Sequence, residues 1–375
     1  VNRFTYLAAL VVSLSLAPAM PQPVALGATV GPDQVRSEQW HLRYLDIARV
    51  HRISQGAGVI VAVADTRVFD HPDLDGNILP GIDITTSGSV AQQRPSSHGT
   101  LMAGLIAAHG QGEGSGALGI APQAKVLPVR VQPDLEQGST DDLAAGVEWA
   151  TANHADVISI SSVAGASVRL QQAVRTAVEA NIVVVAAAGN RPEDPGVGYP
   201  ASEQGVIAVG GTDKTGLLAS ISVTGPAIDV VAPAADIYST SYGGNYAKGT
   251  GTSSATAIVA GAAALIRSKY PDLPAQEVAH RLTATAIDKG PPGRDDEYGY
   301  GVIDLVAALT ADVPPLGFES PSVTAPTSTA AHGDSDDNST ARGLATLGVL
   351  LAAGGGYLVW RRRRRAGDPP PRISR

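Results

Sequence analysis

The chain reads as an α/β protein, a three-layer domain in which helices flank a mostly parallel sheet. Short apolar, β-branched runs alternate with Ala-rich stretches from about Gly58 to Leu309. Because these runs are apolar throughout, the strands they form must be buried on both faces, as in a parallel sheet held between helices. At 375 residues the chain is long enough for one large domain with appendages.

Taken in chain order, strands are expected at 59–63, 125–131, 156–160, 182–188 and 206–210. Helices at 141–154 and 168–180 fall between them, and Ser139-Thr140 and Ser167 supply the hydroxyls that cap their first turns. Two more stretches, 101–109 and 258–266, read as Ala-rich or apolar helices. Ligands of such sheets bind beyond the carboxyl ends of the strands, which directs attention to the polar residues there.

Composition removes several function classes. Charged residues are 17 % of the chain and Gly numbers 42, which fits neither an acidic disordered chain nor a coiled coil. No Gly-X-Y period and no repeat of 20 to 50 residues is present. The formal net charge is −8, but the last fifteen residues hold seven Arg and one Asp, leaving −14 for the remainder. A body so acidic argues against nucleic acid as a partner. With no cysteine there is no thiol nucleophile, no Cys-bound zinc and no disulfide framework.

The two ends read as export and anchoring signals. Residues 1–28 have the order of a signal peptide: Arg3, an apolar run over 4–17, then Ala17-Pro18-Ala19, with cleavage after Ala19 or near Gly27-Ala28. Residues 29–55 form an N-terminal extension, either an inhibitory propeptide or a retained wrap; Trp40 and Leu42 favour a wrap docked by apolar contacts. Residues 313–342 are rich in Pro, Ser, Thr and Ala and read as a solvated stalk. Residues 343–360 carry no charge, and a helix of that length spans roughly 27 Å, enough for a single transmembrane helix. Arg361 to Arg365 open a basic cytoplasmic tail, 361–375, which places the body outside the cytoplasm at the cell membrane.

Four segments carry chemistry. Asp65-Thr66 follows the first strand, where an acid can be half buried and hold an imidazole. Ser96-Ser97-His98-Gly99-Thr100 puts a His at a helix start, with Gly99 allowing close backbone approach. Gly251-Thr252-Ser253-Ser254 leads into the 258–266 helix and sets Ser253 among free N–H groups at the positive end of the macrodipole. Gly189-Asn190 ends another strand and offers an amide donor. Each segment alone has a plain structural reading as cap or turn. Together, in the order Asp, His, Ser and separated by 33 and 155 residues, they have the chain order of one known hydrolase triad.

On these blocks, and on Gly119-Ile120-Ala121-Pro122, Tyr199-Pro200-Ala201 and Tyr298-Gly299-Tyr300-Gly301, the chain resembles the subtilisin-like serine proteases over about Gln55 to Leu309. The resemblance implies a subtilisin-like peptidase domain at 56–312, acting on an extended polypeptide without cofactor or metal. It implies Ser253 as nucleophile, His98 as general base and then acid, and Asp65 as the group orienting the imidazole. Asn190 and the Ser253 N–H would form the oxyanion hole, and Ser161, Ser162 and Val163 the substrate-binding segment. The sequence also resembles the mycosins, the membrane-anchored subtilases of actinobacterial type VII secretion systems. That likeness rests on residues 35–42 and 51–58 and on the layout of signal, protease, stalk, span and basic tail. It implies an extracytoplasmic protease associated with type VII secretion membrane components.

Several positions depart from the family pattern. Arg67 stands where Gly is usual, and it would either lower the Asp65 pKa or block the approach to the site. Val163 replaces Gly and is expected to narrow the pocket, while Ala257 replaces Pro in the nucleophile helix. These changes motivate a competing reading, a catalytically silent subtilase fold that stabilises a membrane secretion complex. Residues 71–77 offer oxygen ligands suited to Ca²⁺ but lack carboxylates at loop spacing, so they read as a polar turn. His41, His51, His109, His154, His280 and His332 show no metal-ligand spacing and are expected at the surface or in packing.

Overall fold

The computed structural model describes residues 30–85, 96–133 and 138–317. They belong to one compact unit, Val1–Phe318; a second, Glu319–Arg375, lies outside the described residues, as do the expected signal peptide, nearly all of the stalk, the span at 343–360 and the basic tail. Among the described residues no helix is long and apolar enough to cross a membrane.

Three short helices open the body: α1 (Pro32–Glu38), begun by Pro at its first position, α2 (Trp40–Tyr44) and α3 (Ile47–Val50). Then follow β1 (Ile60–Asp65), β2 (Ile82–Asp83), α4 (His98–Ala107), β3 (Lys125–Arg130), α5 (Thr140–Ala152), β4 (Val157–Ile160), α6 (Val168–Glu179), β5 (Val183–Ala187), β6 (Val206–Thr212) and β7 (Val230–Pro233). A hairpin of β8 (Ile237–Thr240) and β9 (Tyr246–Gly249) leads to α7 (Thr252–Lys269), α8 (Ala275–Ala284) and α9 (Leu305–Thr310).

The main sheet has the order β2-β3-β1-β4-β5-β6-β7, and every neighbouring pair is parallel. Its two faces divide the core by alternate residues. Val61 and Val63 of β1 pack toward α4 and α7, whereas Ala62 and Ala64 pack toward α5 and α6. The three layers follow from that alternation of apolar side chains on two buried faces. α7 is buried along almost its whole length, as a helix apolar on all sides must be. Gly261 lets it close on the body, because a Cβ there would lie 2.7 Å from Ile120 Cβ.

The sheet carries the five expected strands with shifted ends. β1 begins at Ile60 and includes Asp65 as its last residue, so the acid ends the strand and does not follow it. β6 runs on through Gly211 and Thr212. The sequence reading lacks β2, β7, the β8–β9 hairpin and the short helices α1–α3, α8 and α9. β2 has two residues and β7 four, too few to show a period, and the hairpin is antiparallel and partly exposed, with no continuous apolar run.

Candidate active site

Asp65 closes β1 and is 2 % exposed. Its Oδ1 accepts from Thr66 N at 2.7 Å and from His98 Nδ1–H at 2.7 Å. A carboxylate only accepts, so this contact fixes the proton on Nδ1 and leaves Nε2 as an acceptor. His98 is the first residue of α4, whose start is tied to β1 by Gly99 N donating to Thr66 Oγ1 at 2.9 Å. Gly99 is required there, because a Cβ would meet Thr66 O at 2.4 Å. The Asp65 carboxylate raises the His98 pKa above 6.5, against the opposing effect of burial.

Ser253 is the second residue of α7, where its N–H has no intrahelical acceptor. Its hydroxyl donates to Ser161 O at 3.0 Å, and no hydrogen bond joins it to His98. Rotation about one side-chain bond is the motion available to it. Asn190 lies beyond β5 and accepts from Thr252 N at 2.9 Å through Oδ1, which assigns Nδ2 as the donor left over. Asp194 Oδ2 in turn accepts from Asn190 N at 2.7 Å.

A cleft of about 570 Å³ is lined by His98, Ser253, Asn190, Ser161, Ser162 and Val163. Asp65 lies behind His98. The structure therefore gathers all seven expected residues at one edge of the sheet. Ser161, Ser162 and Val163 lie just past β4, not within a strand; the segment is fixed where Ala164 N donates to Tyr199 O at 2.8 Å. Residue-by-residue reading missed Thr66, Thr252 and Asp194, which hold Gly99 and Asn190 in place. Thr66 and Thr252 adjoin residues already singled out, whereas Asp194 carried no sequence signal.

Arg67 is exposed and does not line the cleft; its guanidinium sits over the Phe69 ring, 5.8 Å from the centroid. It therefore does not obstruct the approach to His98. Polar atoms of the 71–77 segment pair with neighbouring protein groups. Asp73 accepts from Ala117 N at 2.6 Å and Gln111 Nε2 at 2.8 Å, and Lys125 Nζ donates to Gly76 O at 2.7 Å and Asn77 Oδ1 at 3.1 Å. An ammonium thus stands among the oxygens that suggested Ca²⁺. Among the described residues no group of three or more His, Asp or Glu could hold a metal ion. His51 and His109 bond to backbone carbonyls, His41 is buried, and His332 lies outside the described residues.

Residues 56–301 match the model of the subtilase family. Subtilisin DY of Bacillus licheniformis is 39 % identical over 259 residues, covering 68 % of this chain and 92 % of that protein. Subtilisin Savinase of Lederbergia lenta is 38 % identical over 275 residues, covering 73 % and 99 %. Among solved structures, MycP1 from Mycobacterium smegmatis superposes with a TM-score of 0.64 at 30 % identity, covering 73 % of this chain and 85 % of that one. A structure of MycP1 from the ESX-1 type VII secretion system gives 0.65 at 30 % identity, covering 75 % and 88 %.

Proposed function

The chain belongs to the subtilase family and is a serine endopeptidase acting on polypeptides, and from that premise we propose that Asp65, His98 and Ser253 are its catalytic triad. The supporting observation is the 2.7 Å Asp65–His98 contact opening onto the same cleft as Ser253. Substrate binding turns the Ser253 hydroxyl from Ser161 O toward His98 Nε2. Ser253 Oγ attacks the scissile carbonyl carbon while Nε2 takes its proton, and Asp65 stabilises the imidazolium. The carbonyl oxygen becomes an oxyanion facing Asn190 Nδ2–H, the Ser253 N–H and the positive end of α7. His98 then protonates the leaving amine, and water attacks the acyl-enzyme by the same base catalysis. Ser161, Ser162 and Val163 line the acyl side of the substrate.

The competing reading, a silent fold retained as a subunit of a membrane complex, draws on the Ser253 hydroxyl being turned to Ser161 O. A fluorophosphonate probe decides between them. Labelling of the mature protein that vanishes in Ser253→Ala is the expected result; a folded protein that takes no label is a scaffold. Asn190→Ala should keep the label but lower kcat by about 10²- to 10³-fold, the effect of losing one oxyanion donor.

We further propose that the protease is exported by residues 1–28 and held in the cell membrane by 343–360, with its catalytic domain outside and residues 361–375 in the cytoplasm. Type VII secretion is the proposed setting, supported by the end signals and the likeness to MycP1. Full-length protein in the membrane fraction, degraded by external protease except for its tail, is the expected result. Free protein in the medium would refute the anchor. Residues 30–55 dock on the body and none of them lines the cleft, which supports a retained wrap rather than an inhibitor. N-terminal sequencing of the mature protein should therefore begin ahead of Pro32.

A further inference from the structure

We infer that Val163 closes the base of the acyl-side pocket, so that this protease cuts after small residues, Gly, Ala or Ser. The inference rests on Ser253 and Asn190 acting as proposed above. A carbonyl carbon held between those two residues sends the side chain of its own residue down between two backbone walls. One wall is Ser161–Val163 past β4, the other Gly189 past β5, and both line the cleft. The same floor ties the walls together: Gly198 N donates to Ala188 O at 2.9 Å, and Ala164 N donates to Tyr199 O at 2.8 Å. Two of these positions, Gly189 and Gly198, have no side chain, and with that backbone alone the pocket would be deep.

Val163 fills the depth. A Cβ at Gly198 would lie 2.3 Å from Val163 Cγ1 and 2.9 Å from Cγ2, so both methyls stand directly on the floor. Gly198 accordingly does not line the cleft, whereas Val163 does. A β-branched side chain has few rotamers with which to swing aside. On the opposite wall, Asp194 packs against Gly189, where an added Cβ would lie 2.9 Å from its Oδ2. The pair also constrains itself: Val163 is compatible only with Gly at 198.

The test uses the full-length protein in its membrane or in detergent, with otherwise identical fluorogenic peptides carrying Ala, Phe or Lys on the acyl side of the scissile bond. For wild type, kcat/KM for Ala should exceed that for Phe and for Lys by about tenfold or more, the scale on which pockets discriminate bulk. Val163→Gly should shrink the Ala-to-Phe ratio by about tenfold, and Val163→Ala should shift it the same way by less. If Val163→Gly fails to fold, the Val163→Ala ratio decides. An unchanged ratio in a folded variant, or wild type cutting after Phe or Lys as fast as after Ala, overturns the inference. The fluorophosphonate probe is small enough not to need the pocket, so labelling without the Ala preference refutes the pocket alone. Absence of both labelling and cleavage refutes the catalytic reading beneath it.

Discussion

At His98 the Asp65 carboxylate and burial pull in opposite directions, and the carboxylate prevails, holding the imidazole pKa above 6.5. In the proposed triad only the neutral ring can accept the Ser253 proton, so the acidic limb of kcat/KM should lie above pH 6.5. Asp65→Asn should move that limb down and lower kcat by about 10⁴-fold, because the ring loses both its charge partner and its fixed tautomer. The linkage has a definite sign. Protonated His98 beside Asp65 adds stability fully present below pH 6.5 and lost as pH rises through the raised pKa. The neutral form, proposed as the active one, lacks that contribution. The residue types at this site were legible because each sits in a short block with a distinctive neighbour, Thr66 after Asp65 and Gly99 after His98. The hydroxyl's direction was not, since a rotamer is chosen by whichever acceptor lies nearest, here Ser161 O.

Among the elements, the segment α1–α3 is held by buried polar groups that no periodic pattern announces. Gln39, fully buried, donates through Nε2 to Leu118 O at 3.0 Å and Tyr238 O at 3.1 Å and accepts from Leu118 N at 2.8 Å. Gln39→Ala leaves those backbone groups buried and unpaired, and urea denaturation should show a loss of about 3 kcal/mol. His41, two residues on, is buried with neither ring nitrogen hydrogen-bonded, and burial lowers its pKa to about 3. The unfolded chain binds a proton there below about pH 6.5 while the folded one does not, so stability should fall by about 1.4 kcal/mol per pH unit between those values. His41→Leu should flatten that slope in denaturation curves taken from pH 7 to pH 4. β1, β4 and β5 were readable from their unbroken apolar runs. α1–α3, with lengths of 7, 5 and 4 residues, are too short to display a helical period and depend on the surface they cover.

Over the whole molecule, charge and shape act together on the cleft. Glu193 and Asp194 line it, and among the described residues no Lys or Arg does. In a chain whose first 360 residues carry −14, peptides with Lys or Arg two or more positions from the scissile bond should be cut faster than Glu-flanked ones. That advantage should shrink when ionic strength rises from about 0.05 to 0.5 M, as measured by the ratio of kcat/KM values. The sequence alone determined the layered α/β architecture and the chemical groups at the sheet edge, because strand burial and motif blocks are written within ten or so neighbouring residues. Only the tertiary structure decided that Arg67 turns to Phe69, that Lys125 stands among the oxygens of the 71–77 turn, and that Val163 lies on Gly198. Those outcomes depend on side-chain direction and on distances between segments that close packing brings together, and no local pattern carries that information.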